Sequence, residues 1–425
     1  MKKVLIITYY WPPKGGVGVQ RWLKLTKYLC QQNYQPIIYT SANGLSPLED
    51  YNLKSSIPKG LKVLKKRIFE PQKILSFFTR QRPSSDVLII PKPSIFKKII
   101  LWIRANFFVP DSRCFWIRPS VNFLTEYIKK NKIDIIISSG PPHSMHMIAL
   151  KLKLKYNHIK WIADFRDPWT DIEYFEKLPM LSFIRDKHKK LEQKVLTSSD
   201  LVLSVSSSWA NDLMRQGAKK VFVLTNGYDS EDYQYNVQKS NANLFQVGHF
   251  GLYNKFRDHT FFWDVMRKIS HNSPSFHSDL KLFFAGEVYS GFMNNINDYN
   301  FHRNMEYHSY LSHQDAIKNM MQCDMLLVTQ SKEKAVMGRL PAKLFEYFAA
   351  KKPILAIGQK NSDLEKIVSN ISYAWFVDFD NSELLYDTIL KIYNLRKSAM
   401  NYNDDISNFS RLNQAKELVK LFNTI

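Results

Sequence analysis

The sequence predicts an α/β protein made of two consecutive doubly wound domains, each a parallel sheet with helices on both faces. Three observations lead there. The 425 residues exceed what one hydrophobic core ordinarily organises, roughly 100–200 residues per domain. Short apolar runs alternate with helix-length segments along the chain, the pattern of parallel strands joined by crossover helices. The pattern pauses once, over the polar stretch Asp229–Asn243, and then restarts.

Taken in order, the first strand is expected at Lys3–Thr8 and is followed by a Gly-rich turn and a helix over Val17–Gln32. Further strands are expected at Pro36–Thr40, Ile133–Ser138, Lys160–Asp164, Leu201–Val205 and Val221–Leu224, with helices over Ser144–Tyr156 and Arg185–Thr197 between them. After the polar stretch the expected strands are Phe245–Phe250, Leu280–Gly286, Met325–Val328 and Pro353–Ile357. The last segment, Ser410–Ile425, places Leu412, Ala415, Leu418, Leu421 and Phe422 on one helical face, which must dock on a core, most simply back across the domain boundary. The expected boundaries are 1–232, 243–405 and a terminal helix at 406–425. Two sheets of this kind present a ligand cleft at the carboxyl ends of their strands.

Composition narrows the function classes. Hydrophobic residues at 45% and charged residues at 23% exclude a disordered tail, a collagen and a disulfide-stapled miniature fold. No apolar run approaches the roughly 18–20 residues of a membrane-spanning helix. The opening Lys2-Lys3 could imitate a signal peptide, but its apolar stretch ends at Trp11-Pro12-Pro13 with no small-residue cleavage site. Cys30, Cys114 and Cys323 are widely spaced and show no metal or redox pattern, which suits a reducing cytoplasm.

The net charge of +22 is uneven, with 18 basic and 4 acidic residues falling within 51–132. Such a region faces something anionic: nucleic acid, an anionic membrane surface or a phosphorylated substrate. The same stretch holds Ile95–Phe108, where Ile95, Ile99, Trp102, Ile103 and Phe107 form an apolar stripe and Lys97, Lys98 and Arg104 lie towards the other side. Basic residues with aromatic and aliphatic ones on an amphipathic helix make an in-plane membrane binder. Lys97, Lys98, Trp102 and Arg104 are therefore the candidate membrane or acceptor surface. Nucleic acid is disfavoured, because zinc-finger spacing, basic zippers and single-strand-binding aromatic signatures are all missing from the sequence.

Five motifs sit where chemistry is expected. Tyr9–Gly18 is a Gly-rich turn between a strand and a helix, where backbone amides attract phosphate, although it matches neither the dinucleotide nor the P-loop pattern. Ser138–Ser144 brings His143 to the end of a later strand, and Ala163–Trp169 places Asp164, Arg166 and Asp167 at the end of the next. Thr225-Asn226-Gly227-Tyr228-Asp229 has the chemistry of a turn. Gly338–Leu355 puts Lys343 and Glu346 near the start of a helix. A lysine there opposes the helix dipole unless an anion is bound, and a diphosphate would relieve the conflict.

In this order the motifs, with Val247–Gly251 and Phe284-Ala285-Gly286-Glu287, resemble the family 4 glycosyltransferases of the GT-B type, closest to bacterial envelope-polysaccharide members. The resemblance covers essentially the whole chain. It implies transfer of a sugar from a nucleotide-sugar donor to a lipid-linked or growing polysaccharide acceptor, retaining and without metal or other cofactor. The donor would bind the second domain and the acceptor the first, at the inner face of the plasma membrane. By the same resemblance Glu346 is the second Glu of the E-x7-E motif and holds the ribose. Gly15 and Gly16 lie in the loop that closes over the diphosphate, and Arg257 and Lys343 contact it. His143, Arg166 and Asp167 are the acceptor-side or catalytic candidates. Two departures stand out. The first Glu of the motif is replaced by Gly338, and the usual catalytic His after the fifth strand is missing. A nucleotide-sugar 2-epimerase of the same fold, or a non-enzymatic regulator binding polyanions or nucleotide-sugars, would share much of this pattern.

Overall fold

The computed structural model describes residues 1–46, 48–71, 95–235, 237, 241, 243–332, 336–396 and 402–425. The chain forms two compact units. The first is Met1–Thr225 with Arg411–Ile425, and the second is Asn226–Ser410.

Among the described residues the first unit contains a seven-stranded sheet, all pairs parallel, in the order β3-β2-β1-β4-β5-β6-β7. Its strands are β1 (Lys2–Ile7), β2 (Tyr34–Ser41), β3 (Lys62–Lys66), β4 (Ile135–Gly140), β5 (Lys160–Phe165), β6 (Leu201–Ser204) and β7 (Val221–Val223). Alternation along β1 shows why the central strands read as unbroken apolar runs. Leu5 and Ile7 join a core with Trp161 and Trp116 on one face, while Val4 and Ile6 join one with Trp22, Leu29 and Leu418 on the other. Helix Arg411–Thr424 belongs to the second of these cores through Ala415, Leu418, Leu421 and Phe422, packing beside helix Val17–Gln31.

Among the described residues the second unit repeats the plan with six parallel strands, in the order β10-β9-β8-β11-β12-β13. These are β8 (Phe245–Phe250), β9 (Leu280–Ala285), β10 (Met305–His308), β11 (Met325–Thr329), β12 (Ile354–Gly358) and β13 (Ala374–Asp378). Val247, Leu282, Leu327 and Leu355 pack with Trp263 and Phe292 on one face, and Leu326, Val328 and Ile354 with Phe345 and Tyr347 on the other. The strand order reverses between β1 and β4 in the first sheet and between β8 and β11 in the second, and ligands of such sheets bind beyond the strand ends at that reversal.

Three strands were not expected from the sequence: β3, β10 and β13. All are sheet edges, and few of their residues are buried. An edge strand is covered on fewer sides and needs no continuous apolar run, so Lys62–Lys66 reads as a basic segment.

Candidate functional site

In the first unit the three motifs of the ligand-facing edge converge. They follow β1, β4 and β5, which are neighbours in the sheet. After β1 the chain turns through Gly15, whose N–H donates to the Leu48 carbonyl at 2.9 Å, and Gly16, at φ 93°. Gly16 caps helix Val17–Gln31 without any side-chain hydrogen bond, leaving the helix start to an anion or solvent. The turn is pinned from below by Lys14. This lysine is buried, donates to the Tyr9 carbonyl and to Ser41 Oγ, and lies 3.6 Å over the Tyr9 ring.

Arg166 follows β5 and is brought to that same helix start. A Cβ on Gly18 would run into its guanidinium, Nη2 donates to the Pro141 carbonyl, and the group sits 5.8 Å from the Tyr10 ring. A cation over an uncapped helix N-terminus is held against the dipole, an arrangement that an anion stabilises. Asp167 is half-buried at the same strand end.

His143 lies beside them at the start of helix Ser144–Lys155. It is buried and stacks on Trp169 at 4.6 Å with a 4° interplanar angle. Neither ring nitrogen has a hydrogen-bond partner among the described residues. Burial, then the neighbouring His146, His188 and Arg166, keep it well below the ordinary histidine range, so it is neutral at pH 7 with a lone pair available. Its platform is fixed. Trp169 Nε1 donates to His188 Nδ1 at 3.1 Å, and Glu192 accepts from the backbone N–H groups of Trp169 and Thr170.

Asp164 takes a different role from its neighbours in the motif. It is fully buried and accepts from Arg21 Nη2 at 2.8 Å and Nε at 3.2 Å, from Trp22 Nε1 at 2.8 Å and from Ser139 Oγ at 2.8 Å. Arg21 also donates to the carbonyls of Leu224 and Thr225. The pair ties helix Val17–Gln31 to β5 and to the chain after β7; it organises the edge rather than facing a ligand.

Sequence reasoning also overlooked His146. Its Nδ1 is 2.8 Å from Ser138 Oγ, its ring stacks on Phe165 at 4.5 Å, and burial holds its pKa down to about 3. The signal was available, since His146 and His143 are one helical turn apart.

The second unit has its own cluster at the ends of β8 and β9. Gly251 at φ 96° and Gly286 at φ 126° bring two backbones together so closely that a Cβ on Gly286 would meet the Gly251 carbonyl 2.5 Å away. Helix Lys343–Ala350 points its N-terminus here, begins at Ala342 with no side-chain cap, and is stopped by Lys351 at φ 51° ahead of Pro353. Lys343, its first residue, lies with Nζ about 3.9 Å from where a Gly251 Cβ would stand. Nζ is 2.6 Å from His249 Nε2, donating to a neutral imidazole. Burial, then the Arg257 guanidinium, hold Lys343 well below the ordinary lysine range, and Glu346 pulls the other way. Arg257 follows β8, and its Nη1 donates to the Leu252 carbonyl at 3.0 Å. Glu346, one turn along the helix, has its backbone carbonyl held by the Tyr233 hydroxyl at 3.0 Å. Arg257, Lys343 and Glu346 are therefore together, joined by His249, which sequence reasoning missed. Its signal was a histidine inside the apolar strand Phe245–Phe250.

Among the described residues no group of three His, Cys, Asp or Glu side chains could hold a metal ion, and no helix is long and apolar enough to cross a membrane. The amphipathic helix spans Ile95–Phe107. It buries Ala105 and Asn106 and leaves Ile95, Phe96, Ile99, Trp102, Ile103 and Phe107 between 40% and 77% exposed. Asn106 anchors it, donating to the Pro179 carbonyl and accepting from Leu181 N–H. Lys98 is exposed and Arg104 half-buried on this helix, while the side chain of Lys97 lies outside the described residues.

The family model for Glycosyltransferase Family 4 matches residues 15–232. No curated protein matches the sequence. Among solved structures the chain is similar to sucrose-phosphate synthase from Thermosynechococcus elongatus, at 11% identity and TM-score 0.64, covering 100% of this chain and 99% of that one. It is similar to a mutant of S. aureus TarM in complex with fondaparinux, alpha-GlcNAc-glycerol and UDP, at 12% identity and TM-score 0.63, covering all of both chains. It is also similar to the catalytic domain of starch synthase IV from Arabidopsis thaliana bound to ADP and acarbose, at 11% identity and TM-score 0.60, covering 100% and 99%. At these identities the likeness is one of fold, two Rossmann-like units of the GT-B kind.

Proposed function

Because the chain belongs to glycosyltransferase family 4, we propose that it moves a sugar from a nucleotide-sugar to a lipid-linked or growing polysaccharide acceptor. The observation that carries this reading is the cluster in the second unit. Lys343, Arg257 and an uncapped helix start converge on a glycine-lined strand edge, the chemistry of a diphosphate site. Glu346, one turn into the helix, is the partner for the ribose hydroxyls.

Transfer breaks the bond between the anomeric carbon and the diphosphate oxygen and forms one to an acceptor oxygen. The charge growing on the leaving diphosphate is matched by Lys343, Arg257 and the helix amides, and no metal or other cofactor is required. Retention by front-face attack lets the departing phosphate oxygen take the acceptor proton, so no protein nucleophile is needed. Gly15 and Gly16, at the start of helix Val17–Gln31, are the donor-side loop for the diphosphate, and Arg166 stands on the acceptor side. The neutral His143, whose ring nitrogens have no hydrogen-bond partner among the described residues, orients the incoming hydroxyl, and Asp167 completes that edge. Attachment to the inner face of the plasma membrane, through Lys97, Lys98, Trp102 and Arg104, is supported by the outward apolar stripe of helix Ile95–Phe107.

A thermal-shift panel of UDP-, GDP-, ADP- and CDP-sugars tests the donor reading. A sugar nucleotide at 100 times its Kd adds about 2.7 kcal/mol, and one nucleotide class alone should shift the melt. No shift with any of them overturns the reading.

A further inference from the structure

His249 and Lys343 form a hydrogen-bonded pair with an unusual balance of charge. The two nitrogens are 2.6 Å apart. The imidazole is buried, packed face-on against Phe284 at 5.3 Å and edge-on against Tyr253 at 4.7 Å, so it cannot swing away. Its other nitrogen, Nδ1, is buried with no hydrogen-bond partner among the described residues. The groups around the pair come from every element packed against it. Arg257, after β8, adds a second positive charge, and Glu346, on the helix of Lys343, is the opposing carboxylate. Asp258 is occupied by hydrogen bonds from Tyr253, Trp263 and Asn295. Tyr253 is held uncharged by burial and by Asp258.

Resting on the donor-site reading above, we propose that His249 is a diphosphate-binding partner of Lys343 and that the pair takes up a proton when a nucleotide-sugar diphosphate binds. In the protein alone, two nitrogen bases 2.6 Å apart share one hydrogen bond in a poorly solvated place beside Arg257, and a second proton on the pair would set like charges against each other. A diphosphate brings negative charge to the same spot. The shared hydrogen bond is then exchanged for bonds from both side chains to phosphate oxygens, and protonation of the pair becomes favourable. The proton comes from solvent, no covalent bond changes, and Arg257 stays charged throughout. Burial and Arg257 also hold both pKa values down, Lys343 and His249 alike, in the direction this exchange requires.

The test is titration calorimetry of the full-length protein with UDP-glucose, GDP-mannose, ADP-glucose and CDP-glucose. A diphosphate diester has no group of its own titrating near neutrality, so any proton belongs to the protein. Each titration is run at pH 7.5 in PIPES and in Tris, whose ionisation enthalpies differ widely, and the difference in observed heat gives the protons exchanged. The expected result is uptake of up to about one proton by the wild type, with affinity rising as much as tenfold for each unit of pH lowered between pH 9 and 7. His249→Gln keeps a hydrogen-bond acceptor for Lys343 but cannot titrate, so it should bind with less than half the wild-type uptake and a flatter pH profile. Lys343→Met should lose affinity as well as uptake. Binding by the wild type without proton uptake overturns the inference and leaves the donor site standing, and full uptake by His249→Gln likewise overturns it. No binding by any of the four sugars overturns both.

Discussion

Replacing Arg21 by methionine removes the cation from Asp164 while keeping most of the side-chain volume. The carboxylate is then left fully buried with only Trp22 Nε1 and Ser139 Oγ as donors, and the Leu224 carbonyl loses its Arg21 partner. Breaking one side of a buried ion pair costs about 3–5 kcal/mol. In a unit of this size that lowers the melting temperature by roughly 6–20 °C. The pH dependence has a definite sign. Burial alone would raise the Asp164 pKa, but Arg21, with Ser139 and Arg166 assisting, outweighs it and holds the group below the usual carboxylate range. Its stabilising contribution is therefore present above the unfolded value of about 3.9 and is lost as pH falls through the lower folded value. Without Arg21 the sign reverses, because burial now favours the neutral acid and the penalty is complete only at pH well above the raised value. The gap between wild type and variant should be widest near pH 8 and shrink towards pH 4. Differential scanning calorimetry at pH 4, 6 and 8 measures it. The double variant Arg21→Met with Asp164→Leu, which removes both charges, should recover more than half of the loss. A single variant within 1 kcal/mol of wild type at pH 8, or a double variant no better than the single, would refute the claim that this pair organises the sheet edge.

Three other outcomes are expected. Glu346→Ala should weaken nucleotide-sugar binding by about 10- to 100-fold, the loss of a hydrogen bond to a charged group. The Tyr233 hydrogen bond to the backbone carbonyl at that position is unaffected by the change; equal affinity by calorimetry would remove Glu346 from the site. Gly140→Ala should destabilise by about 1–3 kcal/mol, since its Cβ would stand 2.5 Å from His146 Nε2 and 3.2 Å from His143 Nδ1, on rings held by stacking. An unchanged denaturation midpoint would show that the two histidines can move. Ile99→Asp with Phe107→Asp should abolish co-sedimentation with anionic vesicles without lowering the melting temperature, both side chains being at least half exposed. Recovery equal to wild type, or equal recovery with neutral vesicles, would rule out helix Ile95–Phe107 as the attachment surface.

The central strands and long helices were legible in the sequence because their residues are buried on two faces and leave continuous apolar runs, as in Phe245–Phe250 and Met325–Thr329. The edges β3, β10 and β13 were not, since an edge strand can be polar and half-exposed without penalty. The site was legible as segments and illegible as pairings. Each motif lies beside a strand end, so the sheet order alone brings Gly16, His143 and Arg166 together. The sequence could not say that Asp164, one residue from Phe165 and two from Arg166, faces inward to Arg21.

Part of that division follows from the pleat. Asp164 and Phe165 point to opposite sides of the sheet, while Arg166, two residues on from Asp164, lies on the Asp164 side but just past the end of the strand. Asp164 meets Arg21 and Trp22 on the helix that follows β1, Phe165 meets His146 on the helix that follows β4, and Arg166 emerges at the edge beside Gly18. His249 shows the same logic in the second unit. It sits inside a strand, where a polar residue reads as an interruption of the apolar run, and its reason for being there lies 94 residues away in Lys343. At these neighbouring strand ends Asp164 has a buried partner in Arg21 and is structural, whereas the ring nitrogens of His143 have no hydrogen-bond partner among the described residues.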